Sequence, residues 1–144
     1  IKIGAKYIRP VTHRLELKQN PNGSMIIDDA YNSNIKGAKM ALEVLKSFEH
    51  KKRILITPGI VELGDKMNEI NQELGRCAAD SSDFIILVGA QQAIPIYNGI
   101  KEKKYPESNV YIAKNLQEAL SKMNQIITKD SVVLLENDLP DNYL

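Results

Sequence analysis

The sequence predicts an α/β domain of three layers, with helices on both faces of a mainly parallel sheet of about six strands. Three observations carry that expectation. Six short runs rich in β-branched residues alternate with stretches whose apolar residues recur at helical spacing. Most of these runs are apolar throughout, as strands covered on both faces are. The first two are joined by Asn20-Pro21-Asn22-Gly23, a turn signal that reads as an antiparallel hairpin.

In chain order, HRLELKQ (13–19) alternates, placing Leu15 and Leu17 on one side, and SMIIDD (24–29) follows the turn. A helix comes next, with Ala38, Ala41, Leu42, Leu45 and Phe48 in one stripe. RILITPG (53–59) reads as the third strand, ended by Thr57-Pro58-Gly59. Met67, Ile70, Leu74, Cys77 and Ala78 mark a second helix, and DFIILVG (83–89) a fourth strand. A weaker helical pattern runs from about Ile94 through Tyr97 and Ile100, with Pro95 tolerable only in its first turn. NVYIAK (109–114), a stripe of Leu116, Ala119, Leu120, Met123 and Ile127, and SVVLLEN (131–137) complete the series. A hairpin followed by alternating helix and strand makes every later connection a crossover. The expected architecture is therefore a Rossmann-like αβα sandwich with one antiparallel strand contributed by the N-terminal hairpin.

Composition narrows the function classes. A chain of 144 residues supports one domain with a real core. Its 19 basic and 18 acidic residues leave a formal charge of +1, which suggests neither a nucleic-acid nor a membrane partner. HKKR (50–53) and KEKK (101–104) read as solvated helix ends. The single cysteine, Cys77, rules out an internal disulfide, fits a reducing compartment, and falls on an apolar helix face as a core thiol. His13 and His50 have no metal-ligand spacing around them, no apolar run approaches membrane-spanning length, and no signal peptide is visible. Because the chain begins with Ile, a fragment or one domain of a longer protein is expected.

In parallel α/β sheets ligands bind outside the carboxyl ends of the strands. That rule draws attention to IIDDAYNSN (26–34), where a buried strand ends in two carboxylates. Alternation sends one aspartate toward each face. Such carboxylates can accept hydrogen bonds from ribose hydroxyls or hold a cation. Asn32, Ser33 and Asn34 can cap the next helix, and Tyr31 offers a flat face for a base or sugar. The same residues also read as a capping loop with solvated acids. Neither GxxxxGK[ST] nor GxGxxG occurs, so a triphosphate cradle lies outside this chain. A phosphoacceptor receiver domain would need an acid at the end of a later central strand, and Thr57-Pro58-Gly59 and Val88-Gly89-Ala90 supply none. Glu136, Asp138 and Asp141 either add to the rim or form an exposed tail.

RLE near the start, IIDDAYNSN, Ala41-Leu42 in the following helix and TPGIVELG after the next strand together resemble the C-terminal domain of Mur ligases. The similarity runs from about Pro10 to the end, with DDAYNSN its most specific part. It implies that residues 1–9 end a linker or central domain and that 10–144 form the C-terminal domain. It further implies an ATP-dependent peptidoglycan-precursor ligase that forms an acyl phosphate and adds D-alanyl-D-alanine to a UDP-MurNAc-tripeptide. The N-terminal and central domains would hold the UDP-sugar, the phosphates and Mg2+, so this domain alone is expected to be inactive. By the same resemblance Arg14, Asp29, Tyr31 and Asn34 lie on the nucleotide side, and Asp28, Asn32 and Ser33 toward the acceptor. No catalytic residue or metal ligand is expected within this domain.

Two departures from the family pattern stand out. Ile35 and Gly37 occupy positions where the family usually has proline and serine, and LLENDLPDN replaces a common Lys-Gly-Ser-Arg ending. These keep two alternatives open: a paralogous Mur-type amide ligase with another acceptor, or a free-standing nucleotide-binding α/β module.

Overall fold

The computed structural model describes residues 16–21, 23–29, 35–60, 66–91 and 93–136. Within them the chain folds as a six-stranded sheet with four helices, in the order β1 (Glu16–Gln19), β2 (Met25–Asp29), α1 (Ile35–Lys46), β3 (Lys52–Thr57), α2 (Met67–Ser81), β4 (Phe84–Val88), α3 (Ala93–Glu102), β5 (Val110–Ala113), α4 (Leu116–Ile126) and β6 (Ser131–Glu136). Across the sheet the strands run β1-β2-β6-β3-β4-β5. Only the hairpin pair β1–β2 is antiparallel; every other neighbouring pair is parallel.

That order explains the layers. The connections through α1, α2 and α3 all move along the sheet in one direction, from β2 toward β5. The connection through α4 returns from β5 to β6 in the opposite sense. Right-handed crossovers must then place α1–α3 on one face and α4 on the other, and two separate cores confirm it. On one face, Ile27, Leu55, Ile85, Leu87, Val132 and Leu134 pack against Ala38, Leu42, Leu45, Leu74, Ala78 and Ile96. On the other, Ile54, Ile56, Ile86, Val133 and Leu135 pack with Leu116, Ala119 and Met123 of α4. The alternation of β3 and β6 side chains between these cores accounts for their continuous apolar runs. A fully buried Ile or Leu contributes about 1.5–3 kcal/mol relative to exposure.

Polar contacts lace the three-helix layer on its solvent side. Lys39 of α1 pairs with Glu73 of α2, and Gln72 and Arg76 of α2 with Glu102 of α3. Helices α2 and α3 also approach closely: a Cβ built on Gly75 would stand 2.1 Å from the carbonyl oxygen of Ile96, so no larger residue fits there.

One expectation requires correction. Lys52 of HKKR does not end a helix: it opens β3 together with Arg53, the first residue of the expected strand, which forms an ion pair with Asp83. Leu17 pairs with buried Ile27 and so shares its face, but on the edge strand it stays 58% exposed. The remaining elements fall within a few residues of their expected bounds. Pro95 sits in the first turn of α3, where its missing N–H breaks no helical bond.

Candidate functional site

The carboxyl ends of the parallel strands form one rim, and β2 brings its acids there. Asp28 and Asp29 are the last two residues of β2, beside Leu135 and Glu136 of β6 in parallel register. Asp28, with a side chain 12% exposed, accepts from Lys18 Nζ of β1 at 3.2 Å. That ion pair ties the edge strand to the rim. Glu136 is completely buried within β6, so the reading of this acid as part of an exposed tail does not hold.

On the other side of β6, β3 reaches the same rim. Buried Thr57 turns its hydroxyl oxygen back to accept from the Gly59 amide at 3.0 Å, bending the chain away from the sheet. Gly59 has φ +86°, a left-handed conformation, and a Cβ there would lie 2.7 Å from Ile96 Cδ1. The next residue, Ile60, exchanges hydrogen bonds with the side chain of Asn71 on α2. Sequence reasoning missed Asn71, yet a signal existed. It stands four residues after Met67 and three before Leu74, on the apolar stripe of α2, where a carboxamide is out of place unless it has partners.

Farther along the rim, Gly89 N donates to Ala113 O at 2.8 Å, joining the ends of β4 and β5. Asn115 caps α4 by accepting from Glu118 N at 2.8 Å, and Glu118 accepts in return from Lys114 N at 2.6 Å. The first bond satisfies a donor that the helix start leaves open, and the second ties the residue before the cap to the first turn.

The expected site residues Arg14, Tyr31, Asn32, Ser33 and Asn34 lie outside the described residues, and of Asp29 only the backbone position in β2 is described. At the β2–β6–β3 rim the Thr57 hydroxyl and the Asn71 carboxamide are buried and spent on backbone groups, and Glu136 is buried too, whereas the Asp28 carboxylate is an acceptor of the kind that ribose hydroxyls suit and phosphates do not. Among the described residues, no three His, Cys, Asp or Glu side chains converge on a common metal position. Cys77 is half-buried, and burial raises its thiol pKa, which is unsuited to nucleophilic work. No described helix is long and apolar enough to cross a membrane.

Comparison with known proteins agrees with this geometry. Residues 13–136 match the family described as Mur ligase, glutamate ligase domain. The UDP-N-acetylmuramoyl-tripeptide--D-alanyl-D-alanine ligase of Buchnera aphidicola subsp. Acyrthosiphon pisum (strain APS) is 32% identical over 92% of the chain, which spans 31% of that protein. Among solved structures, MurF from Acinetobacter baumannii superposes with a TM-score of 0.71 at 26% identity, over 90% of this chain and 27% of its own. The MurF ligase from Thermotoga maritima, solved in complex with ADP, shares the fold with a TM-score of 0.69 at 20% identity, over 90% of this chain and 28% of its own. The chain thus spans about a third of the length of its curated relative, and it belongs to the Mur ligase family.

Proposed function

We propose that this chain is the C-terminal domain of an ATP-dependent ligase that joins D-alanyl-D-alanine to a UDP-MurNAc-tripeptide in the cytoplasm. The observation that carries this reading is the family match over residues 13–136, together with relatives named for that reaction. In this proposal residues 1–9 end the preceding linker or central domain and 10–144 form the domain itself. The substrate carboxylate is phosphorylated by ATP, and the dipeptide amine then attacks the acyl phosphate and displaces phosphate. The phosphates and Mg2+ are held by the preceding domains of the same polypeptide.

This domain's own part is to seat the nucleoside, help place the acceptor and exclude water from the acyl phosphate. Asp29 accepts from the ribose hydroxyls, Tyr31 and Asn34 line the nucleotide side with Arg14, and Asp28, Asn32 and Ser33 face the acceptor. The place of Asp29 as the last residue of β2, at the carboxyl-end rim, supports the first of these roles. The isolated domain does not turn over ATP.

A second reading, a paralogous amide ligase with a different acceptor, is favoured by one observation. The last strand runs through buried Glu136 into NDLPDN, a region where the family resemblance leads one to expect Lys-Gly-Ser-Arg. The full-length enzyme should be incubated with ATP, UDP-MurNAc-tripeptide and a panel of amino acids and dipeptides, with products scored by mass. A product containing D-alanyl-D-alanine is expected. Ligation of another acceptor alone establishes the paralogue, and no ATP-dependent product with any acceptor overturns both readings.

A further inference from the structure

Asn71 stands on the inner side of α2, 4% exposed, with its carboxamide bridging the loop after β3 and the first turn of its own helix. Nδ2 donates to the carbonyls of Ile60 at 2.7 Å and Met67 at 3.0 Å, and Oδ1 accepts from the Ile60 amide at 2.8 Å. One side chain therefore takes both backbone groups of Ile60, as a residue on a neighbouring strand would in a ladder. The need is real. β3 leaves the ladder after Thr57, the last residue it pairs with β4, and Ile60 is only 1% exposed. Buried backbone groups without partners are costly. Gly59 is held from the same side, since a Cβ there would lie 2.8 Å from Asn71 Oδ1.

Packing alone does not call for an amide here, because a leucine would fill similar space. What the amide adds is direction: one donor and one acceptor fix the backbone of Ile60 relative to α2, while the second donor anchors the amide to Met67 O in its own helix. This turn stands at the carboxyl end of β3, next to β6 and one strand beyond β2. We propose that Asn71 is a positioning residue of the ligase site, holding the Thr57–Ile60 turn where the nucleotide must seat as the domain closes over it. The inference rests on the ligase reading above. Asn71 touches no reacting atom and acts through the backbone it holds.

The test compares full-length ligase carrying Asn71→Asp or Asn71→Leu with the unaltered enzyme, recording the two KM values, kcat and thermal unfolding. Asp has the size of Asn and can still accept from Ile60 N, but an ionised carboxylate donates to neither carbonyl. Leu removes all three bonds. KM for ATP should rise about tenfold for Asn71→Asp and more for Asn71→Leu, since small misplacements of a site lose up to about 100-fold. KM for the UDP-linked substrate should not move. A purely structural role would lower the unfolding temperature and the yield of native enzyme while leaving KM for ATP unchanged, and that result overturns the proposal. Should Asn71→Leu fail to fold, Asn71→Asp decides. An unaltered enzyme with no ATP-dependent ligation overturns the ligase reading and this proposal with it. An active enzyme whose variants keep the ATP KM overturns this proposal alone.

Discussion

The two ends of the sheet are built from different materials. At the amino end, charge and side-chain hydrogen bonds lock the strand starts. Arg53 Nε and Nη2 donate to the two oxygens of Asp83 at 3.1 Å each, Arg53 N donates to Asp83 Oδ2 at 2.9 Å, and Nη1 reaches Lys46 O at 3.2 Å. One guanidinium thereby ties α1, β3 and the start of β4. Tyr105 donates to Ser82 O at 3.0 Å, and Lys52 Nζ to Ile126 O at 3.3 Å. At the carboxyl end the Lys18–Asp28 ion pair holds the edge strand, and the rest of the described work falls to glycines and neutral amides: the Thr57–Gly59 turn, the Asn71 clamp, and the Gly89–Ala113 link. The contrast separates two tasks. In the proposed function the ligand meets the carboxyl end, where most of the described backbone contacts are made by neutral groups, while the amino end is held by fixed charges.

If that separation is right, a change at one end should leave the other end's property alone. The largest effect belongs to Asp29→Ala in the full-length enzyme. Loss of a charged hydrogen-bond acceptor at the nucleotide should raise KM for ATP by about 10- to 100-fold, with the unfolding temperature within a degree or two of the original. Steady-state kinetics with ATP varied, beside a thermal melt, checks both halves. Unchanged kinetics would remove Asp29 from the site, and a collapsed melting temperature would make the acid structural.

The mirror-image change is Arg53→Met, which keeps the aliphatic length and deletes the guanidinium. It should destabilise the fold by about 2 kcal/mol, because Asp83 and the Lys46 carbonyl lose a charged donor. KM for ATP should stay as it was. Urea unfolding and the same kinetic assay measure the two quantities. A shift in KM would show that the ends are coupled and that the division of labour is false.

The pattern of legibility follows the range of the interactions. Periodicity exposes the strands and helices because each run is buried on a face set by local geometry, and strands apolar throughout imply helices on both faces. The position of β6 between β2 and β3 was not readable. It depends on pairing partners about a hundred residues apart, and apolar runs such as VVLL and ILI pair equally well in several orders. The role of Arg53 is hidden for a related reason: its partner Asp83 lies 30 residues on, so the local run HKKR shows only its charge. Asp28 and Asp29 were visible as acids closing an apolar strand, a local conflict of the kind sites produce. Asn71 presented the same conflict on a helix, but an amide interrupting an apolar stripe is a quieter signal than a pair of carboxylates.

The smallest effect sharpens the account of the amino end by pH. Tyr105 has its pKa pushed up to about 12 from an ordinary 10.0, chiefly by burial, with the negative charge of Asp83 acting the same way. Between those values the unfolded chain has released this proton while the folded chain still holds it. Stability from this group is therefore complete below the ordinary value and is lost as pH rises toward the folded one. Ionisation would also remove the proton that Tyr105 donates to Ser82 O. Tyr105→Phe should lower stability at neutral pH by about 1 kcal/mol through the lost hydrogen bond. Its unfolding temperature should then fall less steeply than that of the unaltered chain as the medium is taken from about pH 10 to about pH 12. Melts in parallel across that range decide the matter. Equal slopes would mean that lysine deprotonation governs alkaline unfolding, and that Tyr105 fixes the turn after α3 without gating its stability.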